Sequence, residues 1–160
     1  LASDTANSID MWRHAWLESE SAFGTTFDIS VLLEPTSPLR RAADIAQTVE
    51  AMLECNSSAA ATVSITPAHY TPHKTLTVSD GGCIGYYLPT GASHSLRQTI
   101  PRYYHRNGIC YAVRRPTLLE QKQILTTDCQ AVIIERPVVN IDEPFDLKFA
   151  EFLISAEQKN

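Results

Sequence analysis

Ile29-Ser30-Val31-Leu32-Leu33-Glu34-Pro35-Thr36-Ser37-Pro38-Leu39-Arg40 is the stretch that decides the fold. Residues 29–33 are almost uniformly apolar, as a parallel strand buried on both faces would be. Pro35 and Pro38 must end that strand, because proline brings no N–H to a ladder. Downstream, Ile45, Val49, Met52 and Leu53 share one helical face. Residues 60–65 then read as a second strand, with Val63 and Ile65 alternating against Thr62 and Ser64. Upstream, Ile9, Trp12, Ala15, Trp16 and Leu17 mark a helix over residues 5–20, capped by Ser3, Asp4 or Thr5 and broken at Gly24. Helix and strand alternating in this order predict βαβ units and a mostly parallel sheet, an α/β fold.

The second half extends the pattern with one interruption. Residues 74–79 alternate, Asp80-Gly81-Gly82 makes a turn, and residues 84–88 return as a partner strand. This is an antiparallel excursion spanning residues 74–100 within one domain of residues 1–160. Residues 109–113 and 131–134 read as buried strands separated by a short helix around Leu118. A last helix begins at Asp142-Glu143-Pro144, with acids and proline in its first turn and a stripe of Phe145, Phe149, Phe152 and Leu153. Ligands of such sheets bind beyond the carboxyl ends of the strands, so residues 34–40, 67–74 and 140–143 are the candidate site loops.

Composition removes several classes. Thirteen Lys and Arg against eighteen Asp and Glu leave a net charge of −5 with no basic block, so a nucleic-acid partner is not expected. Apolar runs are too short to cross a bilayer, so no membrane partner is expected either. With 44% hydrophobic and 19% charged residues the chain can bury a core. Cys55, Cys83, Cys110 and Cys129 form no CxxC pair, which disfavours a zinc ribbon and fits buried or half-buried reduced thiols in a cytoplasmic protein. The chain opens Leu1-Ala2-Ser3 without methionine, which is expected of a piece of a longer reading frame.

Glu34, Thr36, Ser37 and Arg40 offer a carboxylate, two hydroxyls and a guanidinium, a set able to bind a polyhydroxylated anion. The plainer alternative is a rigid loop in which Thr36 or Ser37 caps the following helix. The same residues resemble the Leu-Leu-Gln-Pro-Thr-Ser-Pro-Leu-Arg signature of the acylneuraminate (CMP-sialic acid) cytidylyltransferases. Other segments agree. Residues 1–9, Leu-Ala-Ser-Asp-Thr-Ala-Asn-Ser-Ile, look like that family's cytosine-holding stretch, and His73-Lys74-Thr75-Leu76 matches its lysine segment. Arg97-Gln98-Thr99-Ile100-Pro101 with Asn107-Gly108-Ile109-Cys110-Tyr111 is similar to its Arg-Gln-x-x-Pro and Asn-Gly-x-x-Tyr pair. Asn140-Ile141-Asp142 resembles its metal-binding Asp-Ile-Asp.

The resemblance implies a three-layer αβα Rossmann-like nucleotidyltransferase fold that transfers CMP from CTP to a nine-carbon 2-keto sugar acid and releases pyrophosphate. It further implies magnesium held by Asp142 and Asn140, with Lys74 and Arg97 reaching phosphates or sugar acid across a homodimer formed by the excursion. Ala6 and Ser8 would read the cytosine, while Glu34, His105, Asn107 and Tyr111 would line the sugar pocket. Each residue has an alternative: Asp142 as a helix N-cap, Lys74 and Arg97 as solvated cations, Ser8 as a polar residue in a first helical turn. Asn107-Gly108 could equally be the type I′ turn of a hairpin between residues 103–106 and 109–113.

The chain departs from the family's pattern in four places. Glu34 stands for its glutamine, His105 for an arginine two before the Asn, and Asn140 for the first aspartate, a weaker ligand for a hard cation. No Gly-rich basic loop occurs in these residues to grip a triphosphate. The chain is therefore expected to be N-terminally incomplete and unable to catalyse the transfer alone. Two alternatives follow: an inactive homologue serving as a binding or assembly module, or a cytidylyltransferase for the eight-carbon Kdo acid.

Overall fold

The computed structural model describes residues 7–93 and 97–157, Arg97 by its backbone alone. The chain divides into two units: Leu1–Val63 with Arg106–Asn160, and Ser64–His105.

In the larger unit, α1 (Ser8–Phe23) is capped by Asn7, whose Oδ1 accepts from the N–H of Ile9 at 2.9 Å. The candidate caps Ser3, Asp4 and Thr5 lie outside the described residues. At the other end Gly24 takes the left-handed conformation that closes a helix, its N–H returning to the carbonyl of Glu20. After β1 (Ile29–Leu32) comes α2 (Ala42–Glu54), then β2 (Ala59–Ile65), β5 (Tyr104–Arg114), α3 (Arg115–Leu119), β6 (Gln130–Ile133) and α4 (Pro144–Glu157). The sheet order is β1-β5-β2-β6.

Side-chain alternation makes the layers. Ala59, Ala61, Tyr111 and Val113 pack with Trp12, Trp16 and Leu118 on one face. Ala60 and Ala112, the residues between them, pack with Met52 and Val49 of α2 on the other. Helices therefore cover both faces, as expected. Trp12 donates its indole N–H to Ser30 Oγ at 2.8 Å, and the Glu20 carboxylate receives Arg115 at 2.9 and 3.0 Å, so α1 is tied to β1 and α3.

The direction of the strands refines the expectation of a mostly parallel sheet. β2 and β6 are parallel, while β5 runs antiparallel to β1. It is antiparallel to β2 as well, since the N–H of Arg114 meets the carbonyl of Ser58 and the N–H of Cys110 meets the Thr62 hydroxyl. β1 was expected to be fully buried, yet it lies at an edge of the described sheet with all four residues half-buried. The hairpin reading of residues 103–113 also fails. Residues 104–114 form one eleven-residue strand, within which Gly108, at φ +70°, supplies a local kink instead of a turn. In α4 the small Ala150 faces inward, and Phe145, Phe149 and Phe152 point outward, the reverse of the expected stripe. Leu53 is likewise exposed, and Cys55 and Cys83 are exposed free thiols.

The smaller unit holds the hairpin of β3 (Leu76–Val78) and β4 (Ile84–Tyr86), shorter than the expected strands but in the expected antiparallel pairing. Gly91 approaches the Tyr86 ring and the carbonyl of His73 so closely that a Cβ would not fit. The Tyr103 hydroxyl bonds His73 Nδ1 at 2.9 Å. Among the described residues no helix is long and apolar enough to cross a membrane.

Candidate active site

The register of β1 on β5 sets Leu32 opposite Tyr111, which brings the loop after β1 beside the Gly108 kink. That loop turns tightly, the N–H of Ser37 donating to the carbonyl of Glu34 at 3.2 Å. Any Cβ at residue 108 would strike Glu34 Oε2, and it would come within 2.6 Å of Ser37 Oγ and 3.2 Å of Asn140 Oδ1. Only glycine satisfies both the positive φ and this approach. Arg40 fastens the arrangement. Its Nε donates to the carbonyl of Ile109 at 2.5 Å, and its Nη2 donates to that of Glu34 at 2.5 Å. The guanidinium read from sequence as an anion binder is thus engaged by backbone carbonyls.

The loop after β6 joins the same place. Ile141 donates its N–H to the carbonyl of Thr36 at 2.8 Å. The Thr36 hydroxyl donates to Asn140 Oδ1 at 2.7 Å. Ser37, fully buried, directs its hydroxyl to the carbonyl of Asn107 at 2.9 Å, with Asn140 Oδ1 at 3.2 Å sharing that proton. Asn140 Nδ2 donates to both oxygens of Asp142, at 3.1 and 3.0 Å. Asp142 is exposed. Asp146, in the first turn of α4, accepts at Oδ2 from the N–H groups of Asp142 and Glu143 at 3.0 and 2.9 Å and so holds the approach to the helix. Two of the three candidate loops, more than a hundred residues apart in sequence, are therefore one hydrogen-bonded cluster around Glu34, Asn140 and Asp142.

Asn107 and Tyr111 sit beneath this cluster. Asn107 is 5% exposed, and its Oδ1 accepts from the Thr62 hydroxyl at 2.7 Å. Tyr111, 4% exposed, belongs to the core with Trp12 and Trp16. Burial, and then the charge of Glu34, push its hydroxyl above the ordinary tyrosine pKa. Behind the loop, Arg136 holds Asp44 in a bidentate pair at 2.8 and 2.5 Å, and Asp44 also accepts the N–H of Arg41. Burial opposes the charge on Asp44, but Arg136 and this N–H outweigh it and hold the carboxyl below its ordinary pKa. Neither Arg40 nor Arg136 was recognised in this structural role. Their signal was long-range pairing, which a single sequence does not display.

Ser8 is exposed in the first turn of α1, and Ala6 lies outside the described residues. Lys74 and His105 belong to the smaller unit; Lys74 is exposed, and His105 Nδ1 is 3.2 Å from Thr66 Oγ1. Arg97 begins a short 3₁₀ turn, Arg97–Thr99. A cleft of about 370 Å³ in that unit is lined by Thr66, Pro67, Thr71, Pro101, Arg102 and Tyr103, among others.

The donors near Asp142 can be tested against a divalent cation. Among the described residues no group of three or more His, Cys, Asp or Glu gathers. Magnesium, however, commonly keeps its waters and takes one or two carboxylates together with substrate phosphates. The exposed Asp142 fits such a site. The Asn140 amide turns its N–H side to Asp142 and its carbonyl to Thr36.

No protein-family model matches the chain. Over 162 aligned residues, all of this chain, it is 32% identical to the post-translational flagellin modification protein B of Campylobacter coli. It spans 66% of that protein's length, just under two thirds. Among solved structures it matches a CMP:2-keto-3-deoxy-manno-octonic acid synthetase complexed with CTP, with a TM-score of 0.64. That match covers 96% of this chain and 70% of the other, at 16% identity. The chain has the fold of a CMP-sugar synthetase. At 16% identity that match speaks for the fold alone.

Proposed function

We propose that this chain is part of an enzyme that transfers CMP from CTP to the anomeric hydroxyl of a nine-carbon 2-keto sugar acid, releasing pyrophosphate. The observation that carries the reading is the cluster that joins the residue 34–37 loop to Asn140 and Asp142. It gathers two of the motifs that resemble the cytidylyltransferases at the carboxyl ends of the strands. Nucleotidyl transfer needs positioning and charge cancellation more than covalent help from the protein.

In this reading Asp142 holds magnesium, which when bound would offset charge on the phosphates. Glu34 faces the sugar acid, and Asn107 and Tyr111 act from beneath by fixing the kink at Gly108. Ala6 and Ser8 hold cytosine. Lys74, Arg97 and His105 serve the sugar acid and phosphates, and the hairpin unit forms a homodimer. A second reading, a binding module without catalysis, draws on the lack of a larger carboxylate cluster among the described residues.

The deciding experiment supplies CTP, magnesium and a panel of eight- and nine-carbon 2-keto sugar acids to the whole protein and measures pyrophosphate. Release with a nine-carbon acid, lost in Asp142→Ala while the circular dichroism spectrum persists, is the expected result. Activity surviving in Asp142→Ala would remove that residue from the reaction, and no release with any acid would favour the binding module.

A further inference from the structure

We propose that Asn140 is a positioning residue that fixes the carboxylate of Asp142 and is not itself a cation ligand. The inference rests on the reading of Asp142 as the cation's carboxylate and deepens it. An ionised carboxylate only accepts hydrogen bonds, so the side of the amide that faces both oxygens of Asp142, at 3.0 and 3.1 Å, must be Nδ2. The carbonyl of a planar amide then points to the other side, and there Oδ1 accepts the Thr36 hydroxyl at 2.7 Å. One side chain thus connects a backbone-anchored loop, fastened by the Ile141 N–H to the Thr36 carbonyl, to the exposed carboxylate. With aspartate at position 140 the geometry would be the opposite: two carboxylates about 3 Å apart, repelling unless a cation lies between them. Asparagine replaces that repulsion by donation from Nδ2 to both oxygens, so the site is held together with no cation present. The cation is then bound by one carboxylate and by whatever phosphates the substrate brings.

The test measures magnesium alone by calorimetry and thermal unfolding with and without magnesium, on the full chain, with no sugar or nucleotide added. Asn140→Asp should unfold at a lower temperature than the unsubstituted protein without metal and recover on adding magnesium. Its affinity for magnesium alone should exceed that of the unsubstituted protein by about tenfold or more, since a second charged oxygen has been added. Asn140→Ala keeps the question open to refutation if Asn140→Asp cannot fold. It should be destabilised equally with and without magnesium and should keep magnesium affinity within about twofold, because no ligand oxygen has been removed. A tenfold loss of affinity in Asn140→Ala, or equal affinity in Asn140→Asp and the unsubstituted protein, would overturn the proposal. These readouts do not depend on any transfer activity. If they come out as expected while no sugar acid accepts CMP, the proposed reaction fails and the positioning role of Asn140 stands.

Discussion

The strand-end cluster of the larger unit and the hairpin of the smaller one both lie in segments that resemble functional motifs, but they are held by different forces. Around Glu34, Asn107 and Asn140 the polar side chains are joined to partners distant in sequence, and buried groups such as Ser37 and Thr62 carry the joints. In the hairpin, hydrogen bonds are local, and Val78 and Ile84 are 69% and 70% exposed. Long-range polar ties fix atoms in place. Exposed apolar side chains on a short hairpin fix little within the unit and are the kind of surface that associates.

The sharpest way to break this contrast is a pair of glycine substitutions. Gly108→Ala must carry a side chain at φ +70° and push it into Glu34 and Ser37, so a loss of about 3 kcal/mol is expected. Gly85→Ala in the hairpin meets only Thr77 Oγ1 at 3.6 Å, an ordinary contact, and should change stability by less than about 0.5 kcal/mol. Urea unfolding of both variants measures this. Equal effects would mean that the cluster yields as easily as the hairpin.

A nearly equal loss is expected at the support behind the cluster. Arg136→Leu would leave Asp44, 5% exposed, without the guanidinium that pairs its charge. Removing one partner of a buried pair typically costs about 3 kcal/mol or more, and because Arg136 is partly exposed the lower end applies. The double variant Arg136→Leu, Asp44→Leu should recover part of that loss, since no bare charge remains. If the single variant unfolds at the same denaturant concentration as the unsubstituted protein, the pair contributes only surface charge.

The same contrast explains what could be read from the sequence. Apolar spacing announced α1, α2, β2, β6 and the hairpin, because each depends on side chains near one another in the chain. Asn107-Gly108 was ambiguous: it fits a hairpin turn, and only the pairing of residues 104–114 with two neighbouring strands makes it a kink. The outward turn of Phe145, Phe149 and Phe152 escaped for a related reason. Ala150 faces inward, and a small residue contributes little to an apolar stripe. At the site, motif resemblance named Glu34, Asn140 and Asp142, but the orientation of the Asn140 amide and the anchoring by Arg40 are properties of the folded cluster alone.

Association is the next test, with a smaller effect on the fold. If the hairpin pairs with its counterpart in a homodimer, the double variant Val78→Lys, Ile84→Lys should convert a dimer of the whole protein to monomer in sedimentation. Thermal stability of the larger unit should stay unchanged, since both positions are exposed. A dimer that survives two added charges per hairpin would place the interface elsewhere.

The smallest effect is expected in acid. Glu20 accepts from Arg115, Trp16 and the N–H of Phe27. The Arg115 hydrogen bonds are the main reason its carboxyl falls from an ordinary value of 4.5 to about 2. A carboxylate with a depressed folded pKa adds stability above its unfolded pKa, and that stability disappears as pH falls through the folded value. Glu20→Gln should therefore be less stable than the unsubstituted protein from pH 7 down to about 4.5, and the gap should close progressively as pH falls to about 2. Denaturant midpoints taken at intervals across that window measure the closing directly. A gap that stays constant down to pH 2 would mean that Glu20 acts through shape and neutral hydrogen bonds. The ion pair that fastens α1 to α3 would then contribute no charge-dependent stability, as exposed pairs often do not.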